Sequence, residues 1–311
     1  MNYRLGRLVA GVLFGMVVSV GGLRSGALYA QEIAFTFDDL PSHGELPPGE
    51  TRLDVANLIL ATLKANHMPP TWGMVNGIGT TQDPNGAAVL KAWRAAGQPL
   101  GSHTWSHMSL TDHTAEEFEQ DIARNEPLLE SLMQGENWRW LRYPFLQEGD
   151  TLEKRNAVRA YLRAHGYTIA QVSMGFGDYL WNSPYARCVV KGDQEKSIEW
   201  LRASYLAAAE ADVTASRDLA HQVYGRDVPY VLLLHIGAFD AKMLPELIAL
   251  YRNKGYTFVS LPEAEKDPAY GDDPGLAGKY GGPLLEQMAT AKKLKFPPSS
   301  KPEKELEALC R

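Results

Sequence analysis

The segment Ile33-Ala34-Phe35-Thr36-Phe37-Asp38-Asp39 carries the strongest indication of the fold. It begins with a largely apolar run, which predicts a short buried strand, and it ends with two adjacent carboxylates at the strand's carboxyl end. In α/β folds that end is where loops gather and where catalytic groups lie. Two neighbouring carboxylates repel each other, so a cation bound to one of them would relieve the repulsion and leave the other free as a base. The alternative for an isolated Asp-Asp pair is a solvated strand end or a helix cap, and the rest of the chain must decide between the two.

Strand-like and helical patterns alternate along the chain after this stretch. Helices are predicted over residues 52–66, 85–96, 114–133, 150–165, 195–224 (as one helix or two) and 243–253. Further strands are predicted over residues 71–75, 99–102, 138–142, 168–174, 230–234 and 257–261. This alternation indicates βα units around a parallel sheet, and the number of units suits a closed or nearly closed barrel. An open, doubly wound sheet is the alternative.

Residues 1–30 have the pattern of a targeting segment. Arg4 and Arg7 supply a positively charged start, and residues 8–20 form an apolar run that is too short to span a bilayer comfortably. Small residues up to Ala30 would allow a peptidase to cut. We therefore expect an exported protein, periplasmic or secreted, with an uncleaved N-terminal anchor as the alternative.

The composition of the chain predicts a globular protein with one disulfide. Hydrophobic residues make up 45% and charged residues 22%, as in ordinary globular proteins, and a net charge of -6 without a basic block argues against nucleic acid as a partner. We expect a catalytic domain over residues 31–262 and a C-terminal extension over residues 263–311, where Gly, Pro, Lys and Asp become frequent. In an oxidising compartment Cys188 and Cys310 would pair and tie this tail back to the chain, whereas two unpaired thiols are the alternative. No segment after the targeting segment is apolar enough to span a membrane.

Two histidines follow the strand predicted over residues 99–102. His103 and His107 are four residues apart, so on a helical turn they would share one face and could bind one metal ion. With one carboxylate they form a set of two His and one Asp with open positions, which is typical of a catalytic metal site. Zinc suits this set of ligands, and iron, cobalt or nickel would also fit. The alternative is a packed or exposed pair of histidines.

The other candidate groups also lie just after predicted strands. Arg142 could form an ion pair with the carboxylate that the metal leaves free, and otherwise it is a surface arginine before a rigid turn. His235 ends the most apolar strand and could be a catalytic acid. The alternative is a histidine of the core whose ring nitrogens are hydrogen-bonded. The groups that share this placement are Asp38, Asp39, His103, His107, Arg142, Asp178 and His235. Chance would scatter some of them onto helices, so the placement favours a single active site.

Four motifs, taken in order, make the chain resemble the polysaccharide deacetylase family from about residue 32 to residue 261. The motifs are Thr36-Phe37-Asp38-Asp39, His103-Thr104-Trp105-Ser106-His107, Arg142-Tyr143-Pro144-Phe145 and Leu232-Leu233-Leu234-His235. The family includes chitin, peptidoglycan N-acetylglucosamine and acetylxylan deacetylases. The resemblance implies a distorted, incomplete (β/α) barrel and the metal-dependent removal of acetyl groups from sugars.

The resemblance also implies a role for each matching residue. The metal ligands would be Asp39, His103 and His107. Asp38 would be the general base that deprotonates the attacking water, and His235 would be the general acid. Arg142 would orient Asp38, and the backbone N–H of Tyr143 would help the metal to hold the oxyanion.

One segment departs from the family pattern. The family usually has an Asp and then an Asp-Trp pair before the strand of the acid histidine, whereas this chain has Gly177-Asp178-Tyr179-Leu180-Trp181-Asn182. We expect Asp178 to pair with His235 and raise its pKa, and Trp181 to form a wall of the sugar groove. The alternatives are a loop acid and a packing aromatic residue.

The sequence as a whole predicts an exported, zinc-dependent deacetylase whose partner is an acetylated glycan of the chitin or peptidoglycan type. Another divalent transition metal could replace the zinc. An O-acetyl esterase of the xylan type is one alternative, because the same catalytic groups would serve it. A non-catalytic glycan-binding relative with the same fold is another.

Overall fold

The structure is a computed structural model that describes residues 31–192, 195–296 and 301–311, so the targeting segment predicted over residues 1–30 lies outside it. The strands are β1 (Gln31–Leu40), β2 (Trp72–Val75), β3 (Leu100–Ser102), β4 (Trp140–Leu141), β5 (Thr168–Ile169), β6 (Tyr230–His235) and β7 (Tyr256–Phe258). The longer helices are α1 (Arg52–Ala65), α3 (Gly86–Ala95), α4 (Ala115–Met133), α5 (Leu152–Ala164), α6 (Asn182–Lys191), α7 (Lys196–Tyr224) and α8 (Ala238–Asn253). Four shorter ones are α2 (Gly79–Gln82), α9 (Leu261–Ala264), α10 (Leu284–Ala291) and α11 (Glu303–Ala308). The predicted alternation of strands and helices is confirmed.

The strands form one curled sheet in which every described pairing is parallel. Its order is β5-β4-β3-β2-β1-β6, and β7 pairs with the start of β1. Residues 170–174, which were predicted to continue β5, instead cross towards β6, where Met174 forms an isolated parallel bridge with Leu232. The sheet therefore curls almost into a ring without a continuous ladder between its two ends. This is the distorted, incomplete (β/α) barrel that the sequence predicted.

The central strand β1 determines where the site lies. Residues 33–38 are buried, and they pair along their whole length with β6. A strand with both faces covered reads as a nearly continuous apolar run, which is why the sequence identified it. Its carboxyl end emerges beside those of β2, β3 and β6, and the loops after these strands meet there.

Two helices show how local and distant contacts set helix ends. Thr114 and Glu117 form a capping box that starts α4 where the sequence predicted a helix, at residues 114–133. In contrast, α8 begins at Ala238, five residues before the predicted start at Met243. The side-chain oxygen of Asn182 accepts a hydrogen bond from the backbone N–H of Phe239 and so caps the helix from another part of the chain.

The C-terminal extension contains α10, a helix that the sequence did not predict. Its buried residues include Leu285 and Met288, and it packs against α7. The predicted disulfide between Cys188 of α6 and Cys310 is present, with the two Cα atoms 5.1 Å apart. Within the described residues, no helix combines the length and the apolar character that crossing a bilayer requires.

Candidate metal and catalytic site

A cavity of about 430 Å³ opens at the carboxyl ends of the strands. It is lined by candidates from the sequence, namely Asp38, Asp39, His103, His107, Asp178 and His235, and also by His43, Phe145, Tyr179, Glu286 and Lys301. The cavity therefore brings together residues that are up to about 260 positions apart in the chain, counting from Asp38 to Lys301.

The centre of the site is a group of three side chains that could hold a metal ion. The Oδ1 atom of Asp39 lies 3.5 Å from Nε2 of His103 and 3.3 Å from Nε2 of His107. These are close to the spacing of about 3.3 Å expected between ligand atoms that sit about 2.0–2.1 Å from a tetrahedral zinc ion. The Oδ1 atom is buried and has no hydrogen-bond donor among the described residues. An oriented, unpartnered acceptor between two imidazole nitrogens fits a divalent metal ion.

The two histidines reach this position without the helical turn that the sequence predicted. Residues 103–108 are not helical, and Thr104 and His107 both have a positive φ, of 63° and 58°. The side-chain amides of Asn76 and Asn125 donate hydrogen bonds to the backbone carbonyls of this segment and hold it in its irregular path. The two imidazoles lie together as predicted, but hydrogen bonds from distant residues bring them together, not a helical turn.

The orientation and charge of the ligands also suit a metal. Nδ1 of His103 donates to the carbonyl of Arg142 at 2.8 Å, which leaves Nε2 as the free nitrogen that faces Asp39. Burial and the neighbouring His103 lower the pKa of His107 to about 4, so its imidazole is neutral at neutral pH. Burial tends to raise the pKa of Asp39, but the hydrogen bond from His43 and the nearby imidazoles lower it well below its usual range. Metal ligands must be in these deprotonated forms.

Asp38, the other acid of the pair, is buried against Arg142. Nη1 of Arg142 donates to both carboxylate oxygens, at 3.1 and 3.3 Å. The same guanidinium donates through Nε to the carbonyl of Ala170 and through Nη2 to the hydroxyl of Thr36. One oxygen of Asp38 lies 3.7 Å from Nε2 of His103, so the carboxylate lies directly beside the candidate metal ligands.

His235 is held by Asp178 through two contacts. One oxygen of Asp178 accepts the backbone N–H of His235 at 2.6 Å, and the other accepts the Nδ1 proton of its ring at 3.0 Å. Burial alone would lower the pKa of His235, but the carboxylate of Asp178, with those of Asp39 and Asp38, raises it to about 10. The imidazole is therefore protonated at neutral pH, and its Nε2 end remains for the cavity.

Trp181 does not form a wall of the cavity, so that prediction is wrong. Its side chain is fully buried, its Nε1 donates to the hydroxyl of Ser204, and its ring packs against Tyr205. The 3₁₀ turn over Asp178–Trp181 directs Trp181 into the core and leaves Tyr179 at the cavity, 45% exposed and with its ring 5.2 Å from that of His235. Tyr179 is adjacent to the predicted acid, but nothing in the sequence distinguished its direction from that of Trp181.

The segment after β4 contributes Phe145 and Leu146 to the lining of the cavity. The phenol of Tyr143 is buried, its ring stacks on Phe118, and Tyr143 is not among the lining residues, so the oxyanion contact of its backbone N–H stays a prediction. Phe145 is 56% exposed and its ring lies 4.4 Å from that of His107. Phe145 was part of a recognised motif, although its own position at the cavity was not predicted.

The C-terminal extension forms one side of the cavity, which the sequence did not predict. Gly281 packs so closely on the Phe145–Leu146 backbone that a Cβ atom there would lie 2.2 Å from the Phe145 carbonyl oxygen. This contact places Glu286 at the cavity, and Lys301 reaches it from beyond α10 and lies against Gly177. No local pattern in the sequence indicates which strand ends a distant tail will contact.

The fold and the site define a (β/α)-barrel protein with a candidate metal centre between an acid–arginine pair and an acid–histidine pair. The family model for polysaccharide deacetylases matches residues 26–170. No curated protein sequence matches the chain significantly.

Several solved structures share the fold. The chitin deacetylase of Colletotrichum lindemuthianum has 20% identity and a TM-score of 0.51, with coverage of 75% of this chain and 86% of that one. A carbohydrate esterase family 4 pseudoenzyme from Bacillus anthracis has 13% identity and a TM-score of 0.52, with coverage of 76% and 66%. The carbohydrate esterase family 4 domain of a xylanase from the hindgut metagenome of Trinervitermes trinervoides has 18% identity and a TM-score of 0.50, with coverage of 82% and 98%. The family-model match confirms the resemblance to polysaccharide deacetylases over residues 26–170, and the solved structures confirm the fold that this resemblance implies.

Proposed function

We propose that this protein is a metal-dependent hydrolase that removes acetyl groups from N-acetylated sugars of the chitin or peptidoglycan type. The observation that carries the proposal is the arrangement in one cavity of three distinct units. The first is the candidate metal site of Asp39, His103 and His107. The second is the buried pair of Asp38 and Arg142, and the third is His235 with its carboxylate partner. The family match and the chitin deacetylase fold support the same reaction.

The residues of the site match the steps of amide hydrolysis. A divalent metal ion held by Asp39, His103 and His107 would supply Lewis acidity, which polarises the acetyl carbonyl and lowers the pKa of water. Asp38 lies beside these ligands and accepts the proton of the attacking water as the new C–O bond forms. His235 donates its proton to the sugar nitrogen as the C–N bond breaks, so acetate and a free amine are the products.

The two supporting residues orient the acid and the base. Arg142 uses three of its nitrogens on Asp38, Thr36 and Ala170, which leaves the carboxylate little freedom to turn. Asp178 holds His235 with its Nδ1 towards the carboxylate, so that the opposite ring nitrogen delivers the proton. The backbone N–H of Tyr143 is the proposed partner of the oxyanion.

The walls of the cavity fit a sugar ring. Its volume of about 430 Å³ lies within the range of small-molecule sites. Phe145 and Tyr179 present exposed aromatic surface beside the catalytic groups, on which an apolar sugar face can pack. Zinc is the proposed metal because of the mixed nitrogen and oxygen ligands.

Export is part of the proposal. The targeting pattern of residues 1–30 and the disulfide between Cys188 and Cys310 both suit a periplasmic or secreted enzyme. We place the catalytic domain at residues 31–262, with the extension as an additional wall of the same cavity.

The test is acetate release by residues 31–311 from chitooligosaccharides, peptidoglycan and acetylated xylan in parallel. Each reaction is run with zinc and with a chelator. We expect metal-dependent release from the N-acetylated substrates, whereas release from xylan alone would indicate an O-acetyl esterase.

Asp38→Asn should retain zinc and lose turnover, while Asp218→Asn on the exposed face of α7 should behave as wild type. Full activity in Asp38→Asn would contradict the base assignment. Zinc binding without acetate release from any substrate would overturn the proposed activity and favour a non-catalytic relative, as in the pseudoenzyme that shares the fold.

A further inference from the structure

His43 lies in the loop after β1 and contacts the side of Asp39 that faces away from the candidate metal ligands. Its Nδ1 atom is 2.6 Å from Oδ2 of Asp39, whereas Oδ1 of the same carboxylate faces His103 and His107. The two oxygens of Asp39 are thus divided between two tasks. Because a carboxylate can only accept, Nδ1 of His43 carries the proton in this contact.

From this division we infer that His43 is a positioning residue, which holds Asp39 so that a single oxygen coordinates the metal and which thereby sets the affinity of the site. The inference rests on the proposed function only in assuming that Asp39, His103 and His107 bind a metal ion.

The loop that carries His43 is itself fixed. The guanidinium of Arg52, at the start of α1, donates to the carbonyls of His43 and Gly44 at 2.7 and 2.6 Å. The N–H of Ser42 donates to the carbonyl of Asp39 at 2.8 Å. These hydrogen bonds hold the backbone on both sides of His43 and so fix the position of its imidazole, as a rigid support of a metal ligand requires.

A direct role for His43 as a ligand fits the distances less well. Asp39, His43 and His235 have ligand atoms within 4.8 Å of one another, and the rings of His43 and His235 are 4.7 Å apart. However, a separation of 2.6 Å between His43 and Asp39 is that of a hydrogen bond. Two ligand atoms on one tetrahedral zinc ion would be about 3.3 Å apart.

The consequence is a predicted loss of metal affinity when the hydrogen bond is removed. Without the hydrogen bond from His43 to Oδ2, the carboxylate of Asp39 can rotate or bind a metal ion through both oxygens. The three ligands are then no longer held in the geometry that binds the metal. Loss of a hydrogen-bond partner of a metal ligand typically weakens metal binding about 10–100-fold. We expect His43→Ala to weaken zinc binding by a factor in this range.

The experiment measures zinc affinity and stoichiometry directly, by competition with a chromogenic chelator, independently of any sugar substrate. The variants are His43→Ala, His43→Asn, Arg52→Ala and the matched control His165→Ala, which removes an exposed histidine at the end of α5. Asn places an amide donor near the position of Nδ1, so His43→Asn should restore affinity to within about threefold of wild type. Arg52→Ala, which releases the loop, should weaken binding in the same direction but less, and His165→Ala should not change it.

The outcomes separate this inference from the proposed function. Unchanged affinity in His43→Ala, with a thermal melt like that of wild type, would overturn the inference and leave the deacetylase proposal intact. Two zinc ions per wild-type chain, one of which is lost in His43→Ala, would also overturn it, because His43 would then be a ligand of a second ion. Zinc binding that follows the predicted order without acetate release would support the role of His43 and refute the proposed function. If the wild-type chain bound no zinc, both would fail.

Discussion

The buried ion pair of Arg142 and Asp38 allows a prediction whose magnitude follows from the structure. Both side chains are almost completely inaccessible, with 1% of Arg142 and 3% of Asp38 exposed. Arg142→Met would keep much of the volume and remove the charge, so Asp38 would remain as a buried carboxylate without its ionic partner. The carbonyl of Ala170 and the hydroxyl of Thr36 would each lose a donor as well.

The expected cost is a large part of the stability of the domain. Removing one partner of a buried ion pair costs about 3–5 kcal/mol, because the other charge stays desolvated. A typical domain has about 5–15 kcal/mol in total, so Arg142→Met should shift the urea midpoint strongly. Asp38→Asn also leaves a buried charge, on Arg142, but it should cost less than Arg142→Met. The asparagine oxygen still accepts a hydrogen bond from the guanidinium, which also keeps its acceptors on Ala170 and Thr36.

A double-mutant cycle measures the interaction itself. In the variant with both substitutions neither charge remains, so its loss should be smaller than the sum of the two single losses by about 2 kcal/mol. The unfolding measurements are made with a chelator present, because a bound metal would partly compensate an unpaired Asp38. Arg142→Lys should fall between wild type and Arg142→Met, since it keeps the charge but cannot reach all three acceptors.

Additive losses in the cycle would refute this reasoning. Arg226→Met is the control, because Arg226 is 47% exposed and forms an ion pair of 2.7 Å with Asp267, which is 12% exposed. Solvent screens such a pair, so its removal should change the midpoint far less than Arg142→Met does. Equal losses at the two positions would mean that burial does not set the cost.

Three further predictions concern the tail, the pH dependence of stability and the acid. The disulfide between Cys188 and Cys310 joins residues 122 positions apart, so replacing both with Ser should lower the free energy of unfolding by up to about 5 kcal/mol relative to the oxidised wild type. An unchanged urea midpoint would contradict this. Burial raises the pKa of Glu265 from 4.5 to about 8, so between these values the folded form keeps a proton that the unfolded chain releases. Stability should therefore fall by up to about 1.4 kcal/mol per pH unit as the pH rises from 5 to 8, and Glu265→Gln should flatten this slope in urea titrations. Asp178→Asn should lower the pKa of His235, so that acetate release declines at a lower pH than in wild type as the pH is raised. If the decline occurred at the same pH in both proteins, the contact with Asp178 would not be what raises the pKa of His235.

Features of the protein that depend on local pattern could be predicted from the amino-acid sequence. The run from Ile33 to Phe37 reads as a buried strand because nearly every position is apolar, and the structure makes it the central strand. The candidate groups could be assigned to one edge of a parallel sheet because each follows a strand, and parallel strands end together. The start of α4 is also a local feature, because Thr114 and Glu117, which form its capping box, are only three residues apart.

Side-chain direction within irregular segments could not be read in this way. His103 and His107 were expected on a helical turn, but Asn76 and Asn125 draw the segment into another path while keeping the imidazoles together. The turn after Gly177 carries two aromatic residues, Tyr179 and Trp181. Contacts with other parts of the chain determine which of them faces the cavity. The partners that bury Trp181 come from α7, a helix that no pattern in that turn can specify.

The residues that complete the site come together only through long-range packing. His43 is four residues from Asp39, yet its contact depends on a loop that Arg52 holds from the next helix. Glu286 and Lys301 reach the cavity from the C-terminal extension, which closes onto the strand ends more than 100 residues after β5. The difference lies in the range of the interactions along the chain. Strand and cap patterns arise from neighbours along the chain, whereas the walls and supports of a cavity arise from packing between distant segments, which sequence spacing does not encode.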